Sequence, residues 1–275
     1  MNVRADADSN ASLNSSAAVP RGALLLLPTL LGPTSVERVL PAQAIAIARA
    51  TTVFLAENAK SARAFLKAVG HPQPLATLAI HEIGHRPDPR RFDEWLAPAL
   101  GGQDVALLSE AGCPSVADPG AGLVARAHEL RLRVRPLVGP SSLLLALMAA
   151  GMDGQRFRFV GYLPQDRTEL VAAIGELERA SLAGETQLFI ETPYRNARLI
   201  DVLLETLRPD TRLAVAVDLT LDTEQVVSRP VAHWRALPAD GPALDRRPAV
   251  FALLAAPGQP ARASSRGRRS ASGRQ

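Results

Sequence analysis

The sequence lacks several features that would place it in a familiar class of protein. No apolar run reaches the roughly 18 residues that a membrane-spanning helix needs, and residues 1–16 contain no apolar core of a secretory signal. Its single cysteine, Cys113, excludes an internal disulfide framework and is typical of a reducing compartment. We therefore expect a cytoplasmic protein that does not associate with membranes.

Common motifs of nucleotide binding and covalent catalysis are missing too. There is no G-x-G-x-x-G after a predicted strand, no G-x-x-x-x-G-K-[ST] and no G-x-S-x-G. His81 to His85 matches H-E-x-x-H, but Gly84 and Pro87 disfavour the helix on which a zinc site of this type is built. We interpret this segment as a strand entering a polar loop, and we predict no metal site. Cys113 lies in a Gly/Pro loop, where it is more typical of a small filler than of a nucleophile.

The positive charge is confined to the C-terminus. Residues 258–275 carry five arginines and no acid, whereas residues 1–20 have a net charge of −1 and the whole chain one of +4. Residues 21–257 are therefore neutral. We predict that 1–20 and 258–275 are disordered extensions, and that the basic one either contacts RNA phosphates or only aids solubility.

Predicted strands and helices alternate, which indicates an α/β fold with a largely parallel sheet in an N-terminal domain, 21–138. A C-terminal α/β domain, 139–257, should hold a mixed sheet, because its last strands lack an obvious crossover helix. The predicted strands are 23–27, 52–56, 75–78, 105–108, 134–137, 157–160, 186–190, 213–217, 224–228 and 249–255. The predicted helices are 35–50, interrupted at Pro41, then 58–69, 90–100, 118–130, 141–150, 166–182 and 196–207.

Three loops of small residues, glycine and proline follow predicted strands. They span residues 27–33, 109–120 and 138–142. Because such loops leave backbone N–H and C=O groups reachable, and because open α/β sheets bind ligands at the carboxyl ends of their strands, we expect a site built largely from main chain.

Seven segments in order resemble the tetrapyrrole methylase superfamily. SEAGCPSVADPG is similar to its S-D-A-G-T-P-x-x-x-D-P-G signature, and LLLLPTLLGP to P-T-P-I-G-N. The stretches FLAENAKSARAFLKAVG, VRPLVGPSSLLLALMAAG, FRFVGYLP, LFIETPYR and AVAVDLT also find counterparts, so the resemblance spans roughly residues 22–255. The most similar branch methylates a cytidine ribose 2′-oxygen of small-subunit ribosomal RNA.

The resemblance implies two α/β domains, S-adenosylmethionine bound in a cleft between them, and a homodimer. By position, it places cofactor contacts in the three loops and in one segment of the second domain. The expected contacts are Pro28, Thr29 and Leu30; Glu110, Ala111, Gly112, Cys113 and Pro114; Pro140, Ser141 and Ser142; and Ile190, Glu191 and Thr192.

The departures lie mainly on the acceptor side. The family's D-T-R is Asn58-Ala59-Lys60 here, its E-L-T-K is Asp218 to Leu221, and its Asp in S-D-A-G is Glu110. The group that activates the acceptor hydroxyl remains open among Glu57, Lys60 and His81, with His85 as a further titratable side chain.

The function expected from the resemblance is methylation of RNA, at a ribose 2′-oxygen of rRNA, by an S-adenosylmethionine-dependent methyltransferase. Two alternatives stay open. The acceptor could be a small molecule such as a tetrapyrrole, because the acceptor-side charges differ. Alternatively, the fold could serve as a nucleotide-binding or RNA-binding module without catalysis.

Overall fold

A computed structural model describes residues 21–237 and 241–256. The predicted extensions 1–20 and 258–275 lie outside these residues. Within the described ranges, no helix is long and apolar enough to cross a membrane.

The chain forms two compact units, and the first is discontinuous in sequence. It consists of residues 21–28, Ala42–Glu110 and Pro114–Val138. The second consists of Thr29–Pro41, Ala111–Cys113 and residues from Gly139 onward. Two loops that follow strands of the first unit therefore belong to the second unit, whereas the main division falls between Val138 and Gly139.

The first unit contains a five-stranded sheet that is parallel throughout. Its order is β3-β2-β4-β1-β5. The central strands are short, apolar and buried, as parallel strands covered on both faces should be. The strands are β1 (Ala23–Leu27), β2 (Val53–Ala56), β3 (Ala79–Glu82), β4 (Val105–Leu108) and β5 (Arg133–Pro136).

This strand order brings together the loops that follow β2, β4 and β1. Since β4 lies between β2 and β1, the segment after β4 begins between the segments that follow its two neighbours. The helices of this unit are α2 (Ala42–Ala50), α3 (Ala59–Ala68), α4 (Phe92–Leu100) and α5 (Ala121–Glu129), whereas α1 (Val36–Val39) belongs to the other unit. Trp95 and Leu96 of α4 and Leu123 of α5 pack against one apolar face of the sheet.

The second unit contains a mixed five-stranded sheet in the order β6-β7-β10-β8-β9. Strands β6 and β7 pair in parallel, and the remaining pairs are antiparallel. Its strands are β6 (Phe157–Tyr162), β7 (Thr186–Ile190), β8 (Arg212–Val217), β9 (Gln225–Pro230) and β10 (Ala249–Leu254). Its remaining helices are α6 (Ser142–Ala150), α7 (Arg167–Ser181), α8 (Asn196–Thr206) and α9 (Val231–Ala236).

The period of two along these strands divides the core of the second unit into two layers. Phe189 and Phe251 stack on the face covered by α7 and α8, with ring centroids 5.6 Å apart. The alternate residues, such as Leu188 and Val250, face α6. The predicted α/β class, with one parallel and one mixed sheet, is confirmed.

Two predicted elements were wrong, and one short helix was missed. Residues 75–77 form a 3-10 turn, and strand β3 starts only at Ala79, so His81 and Glu82 lie in it. Helix α5 starts at Ala121 rather than at 118, because Gly120 has a φ of +136°, outside the helical region. The sequence also gave no signal for the short helix α9 between β9 and β10.

Candidate functional site

The loops after β1 and β4 are joined through their backbones. The amide of Thr29 donates to the carbonyl oxygen of Gly112 at 2.9 Å. Thr29 is buried and Gly112 is buried as well, so this bond fixes the position of two predicted cofactor loops relative to one another.

The third predicted loop meets the second at Pro140. The Sγ of Cys113 donates to the carbonyl oxygen of Pro140 at 3.4 Å. Gly112 has a φ of +73°, and a Cβ added to it would lie 3.0 Å from Leu31 Cδ2 and 3.3 Å from the Pro140 oxygen. The three loops therefore converge on one glycine, where a side chain would crowd Leu31 and the Pro140 oxygen and where the positive φ favours glycine.

The fourth predicted segment, Ile190 to Thr192, belongs to the same unit. Ile190 and Leu31 both pack against the apolar cluster beneath α6. The buried carboxylate of Glu191 accepts from the Thr192 amide at 2.6 Å and from Arg195 Nη2 at 2.6 Å. Arg195 is therefore held in an ion pair. The Glu191 carboxylate stabilises the turn that follows it by accepting hydrogen bonds from Thr192 and Arg195.

Ser141 caps the helix that follows the third loop. Its Oγ accepts from the Leu144 amide at 3.5 Å, and α6 begins at Ser142. Because the first amides of a helix lack partners within it, this end of α6 favours a negatively charged group.

A different cluster lies in the first unit, at the ends of β2 and β4. Glu57 directly follows β2, and its side chain is only 6% exposed. Its Oε1 lies 2.5 Å from His85 Nδ1, and its Oε2 has no hydrogen-bond partner among residues 21–237 and 241–256. The His85 side chain is 80% exposed. A buried carboxylate thus orients a histidine whose ring is open to solvent.

Two more carboxylates, those of Asp118 and Glu110, lie near Glu57 and His85. Burial, together with the nearby charges of Glu57 and Glu110 and against the opposing effect of His85, raises the pKa of Asp118 to about 7. Glu110 Oε1 accepts from Ser61 Oγ at 3.3 Å. Glu57, His85, Glu110 and Asp118 thus form a titratable cluster, in which Asp118 exchanges its proton near neutral pH.

The other two predicted catalytic residues lie outside this cluster. His81 is in β3, where its charge acts on Glu94 of α4. Glu82, its neighbour on the opposite side of the strand, accepts from the Ala59 amide at 2.8 Å. Lys60 is exposed in the first turn of α3. The structure thus pairs Glu57 with His85 rather than with His81.

The predicted cofactor residues divide between the two units. Thr29, Leu30 and the stretch from Ala111 to Cys113 belong to the second unit with residues 140–142 and 190–192, whereas Pro28, Glu110 and Pro114 belong to the first. Asp118 was not among the residues singled out from the sequence, although its place in the DPG motif could have drawn attention to it. Among residues 21–237 and 241–256, no group of three His, Cys, Asp or Glu is arranged to hold a metal ion.

The sequence matches the family model of the Tetrapyrrole (Corrin/Porphyrin) Methylases over residues 31–233. Its relatives include the Ribosomal RNA small subunit methyltransferase I of Pseudomonas aeruginosa, 32% identical over 77% of this chain and 71% of that one. The protein of the same name from Bacillus subtilis is 30% identical over 75% of this chain and 66% of its own length. The one from Mesorhizobium japonicum is 37% identical over 48% of this chain and 44% of its own length. The matched region thus spans less than two thirds of some of these relatives.

Solved structures agree on the fold. The methyltransferase CobJ superposes with a TM-score of 0.56 at 19% identity, covering 86% of this chain and 95% of that one. A conserved hypothetical protein from Aeropyrum pernix K1 gives 0.60 at 18% identity, covering 86% and 85%. Together with the family match, these findings define the class: the chain is a methyltransferase and belongs to the tetrapyrrole methylase family. The family and the enzyme class predicted from the sequence are confirmed.

Proposed function

We propose that this protein uses S-adenosylmethionine to methylate RNA, at a ribose 2′-oxygen of small-subunit ribosomal RNA. The observation that carries the cofactor assignment is the convergence of three strand-end loops on Gly112. The relatives named as ribosomal RNA small subunit methyltransferases support the RNA acceptor. As a modifier of rRNA, the protein would act in the cytoplasm, and we propose that it acts as the homodimer expected from its family.

The residues at the loop junction fit this cofactor. When bound, it supplies an electrophilic methyl group on a positively charged sulfur. Thr29, Gly112 and Pro140 bring little side-chain bulk to the junction, so a ligand bound there would lie mostly against main chain. The amino end of α6 next to Ser141 suits a carboxylate. In-line transfer needs mainly alignment of the reactants and exclusion of water.

The acceptor hydroxyl needs a base, because a ribose oxygen is a poor nucleophile. The structure favours His85, whose Nδ1 is held by the buried Glu57 and whose other nitrogen is left to accept a proton. In this arrangement Glu57 is a positioning residue that keeps the ring in one orientation. Glu110 belongs to the same cluster, and in the chain it directly precedes Ala111 of the second cofactor loop.

Tritium transfer tests the activity. Labelled S-adenosylmethionine should deliver tritium to unmodified small-subunit rRNA in the presence of the wild-type enzyme, and nuclease digestion should release the label as a 2′-O-methylated nucleoside. Label that appears only in small molecules would instead assign the small-molecule acceptor. Cofactor binding without transfer to any cellular fraction would assign a binding module.

Replacing His85 tests the base. We expect His85→Gln to lower kcat for RNA methylation by about 10²–10⁴-fold, because a general base contributes roughly that factor. Glu57→Gln should lower kcat less and shift the pH profile of kcat, since the histidine stays but loses its orienting charge. His128→Gln, which replaces an exposed histidine of α5, serves as the control and should retain the wild-type rate. Full activity of His85→Gln would return the role to His81 or Lys60.

A further inference from the structure

The exposed side of α3 carries a concentration of unpaired positive charge. The whole chain contains only two lysines, Lys60 and Lys67, and both are in this helix. With Arg63 they follow an i, i+3, i+7 spacing, which places them along one side of the helix over about 10 Å. All three are exposed, whereas Phe65 and Leu66 face the core.

In the described part of the chain, the three cations lack acidic partners. None of them takes part in an ion pair within residues 21–237 and 241–256, and Arg63 donates only to the Ala59 carbonyl oxygen of its own turn. The helix itself contains no Asp or Glu. Some exposed arginines of the second unit do form ion pairs: Arg167 pairs with Glu205, and Arg208 pairs with Asp210. The charge of α3 is therefore left available for an external anion.

From this placement we infer that Lys60, Arg63 and Lys67 form a phosphate-binding track for the backbone of the RNA acceptor. The inference rests on the proposed function for the nature of the anion. Lysine offers a flexible point charge that follows a phosphate without demanding a fixed geometry, and such contacts position a strand without reading its sequence.

The track begins beside the titratable cluster. Asn58, which caps α3, is the residue directly after Glu57 in the chain. Ser61, in the first turn of α3, donates a hydrogen bond from its Oγ to Glu110 Oε1. The carboxylates at this end repel phosphate, while the cations farther along the helix attract it. A strand held on the track would therefore have its phosphates on α3 and approach the cluster with an uncharged group, such as a ribose hydroxyl.

Removal of charge along the helix tests this inference. The main variant is Arg63→Gln/Lys67→Gln, which leaves the catalytic candidate Lys60 intact. The matched control is Arg167→Gln/Arg208→Gln, which removes the same charge from ion-paired positions. The probe is unmodified small-subunit rRNA, titrated at several salt concentrations. S-adenosylmethionine affinity, measured by calorimetry, reports whether the variants are folded.

We expect the α3 double variant to raise the Kd for RNA about tenfold and to reduce the slope of log K against log salt by about 1.4, as for two lost contacts to a single strand. Its cofactor affinity, and the RNA binding of the control, should stay at wild-type values. Equal RNA binding by both double variants, or failure of the wild type to bind RNA, would overturn the track. RNA binding that depends on α3 but is not followed by methyl transfer would overturn the proposed function and leave the track standing. In that case Lys60→Gln should weaken RNA binding as well.

Discussion

At the residue scale, the titratable cluster shows what a sequence pattern cannot reveal. Glu57 and His85 are 28 positions apart, and both were recognisable as titratable groups near the expected site. Their pairing depends on β2 and β3 being neighbours in the sheet, which places the residues that follow the two strands at the same edge. The match to H-E-x-x-H drew attention to His81, although the strand directs that side chain elsewhere.

Replacing Asp118 should change the pH dependence of stability. The unfolded chain loses this proton near pH 4, whereas the folded protein keeps it up to about pH 7, so stability falls as pH rises between these values and is level above them. Because the group is only half-buried, solvent screening limits the cost to about 1–2 kcal/mol. We expect Asp118→Asn to be more stable than wild type by that amount at about pH 8, and nearly equal at about pH 4.

Urea unfolding at the two pH values measures this difference. Asp201→Asn, which alters an exposed aspartate, is the control and should show no comparable pH-dependent gain. A difference between Asp118→Asn and wild type that stays constant across the range would contradict the assigned proton affinity.

At the element scale, prediction from the sequence was most accurate for apolar strands and for helices that start at a recognisable capping residue. Strands β1, β4 and β7 match their predicted bounds, and Asn58, Ser141 and Asp166 cap the helices that follow them. The prediction was weaker where tertiary contacts decide. Strand β3 lies at the edge of the sheet with no fully buried residue, so its sequence carries little strand pattern.

The loop before α5 could not be placed from periodicity. Ser115 and Ala117 have φ values of +66° and +62°, and a Cβ at Gly120 would lie 2.5 Å from Ser115 Oγ. This strained backbone persists because the surrounding contacts hold it, and strain of this kind is concentrated at functional sites. The sequence indicated only that small residues were needed there.

The Asn58 cap explains one departure from the family pattern. Its Oδ1 accepts from the amides of Lys60 and Ser61 at 2.9 and 3.1 Å, a role that aspartate fills equally well. We expect Asn58→Ala to lower the free energy of unfolding by about 1 kcal/mol, and Asn58→Asp to leave it near the wild-type value. Urea denaturation of the three proteins checks this, and an alanine variant as stable as wild type would show that the cap is dispensable.

At the scale of the whole molecule, the sequence predicted two continuous domains, 21–138 and 139–257, and this division stays a prediction. It did not predict that Thr29–Pro41 and Ala111–Cys113 belong to the second unit. Such an interleaved arrangement depends on contacts between residues far apart in sequence, such as Thr29 with Gly112 and Cys113 with Pro140. Those contacts also form the proposed cofactor site. Its loops could be proposed from the sequence, whereas their convergence on Gly112 could not.

Titration calorimetry of S-adenosylmethionine into wild type, Gly112→Ala and Gly151→Ala tests the central claim most directly. Gly112 and Gly151 both have positive φ, but an added Cβ meets Leu31 and Pro140 at the first and nothing within 4 Å at the second. The account predicts saturable binding to wild type, at least a tenfold (about 1.4 kcal/mol) loss in Gly112→Ala, and little loss in Gly151→Ala. Absence of binding to wild type, or equal affinity in Gly112→Ala, would contradict it.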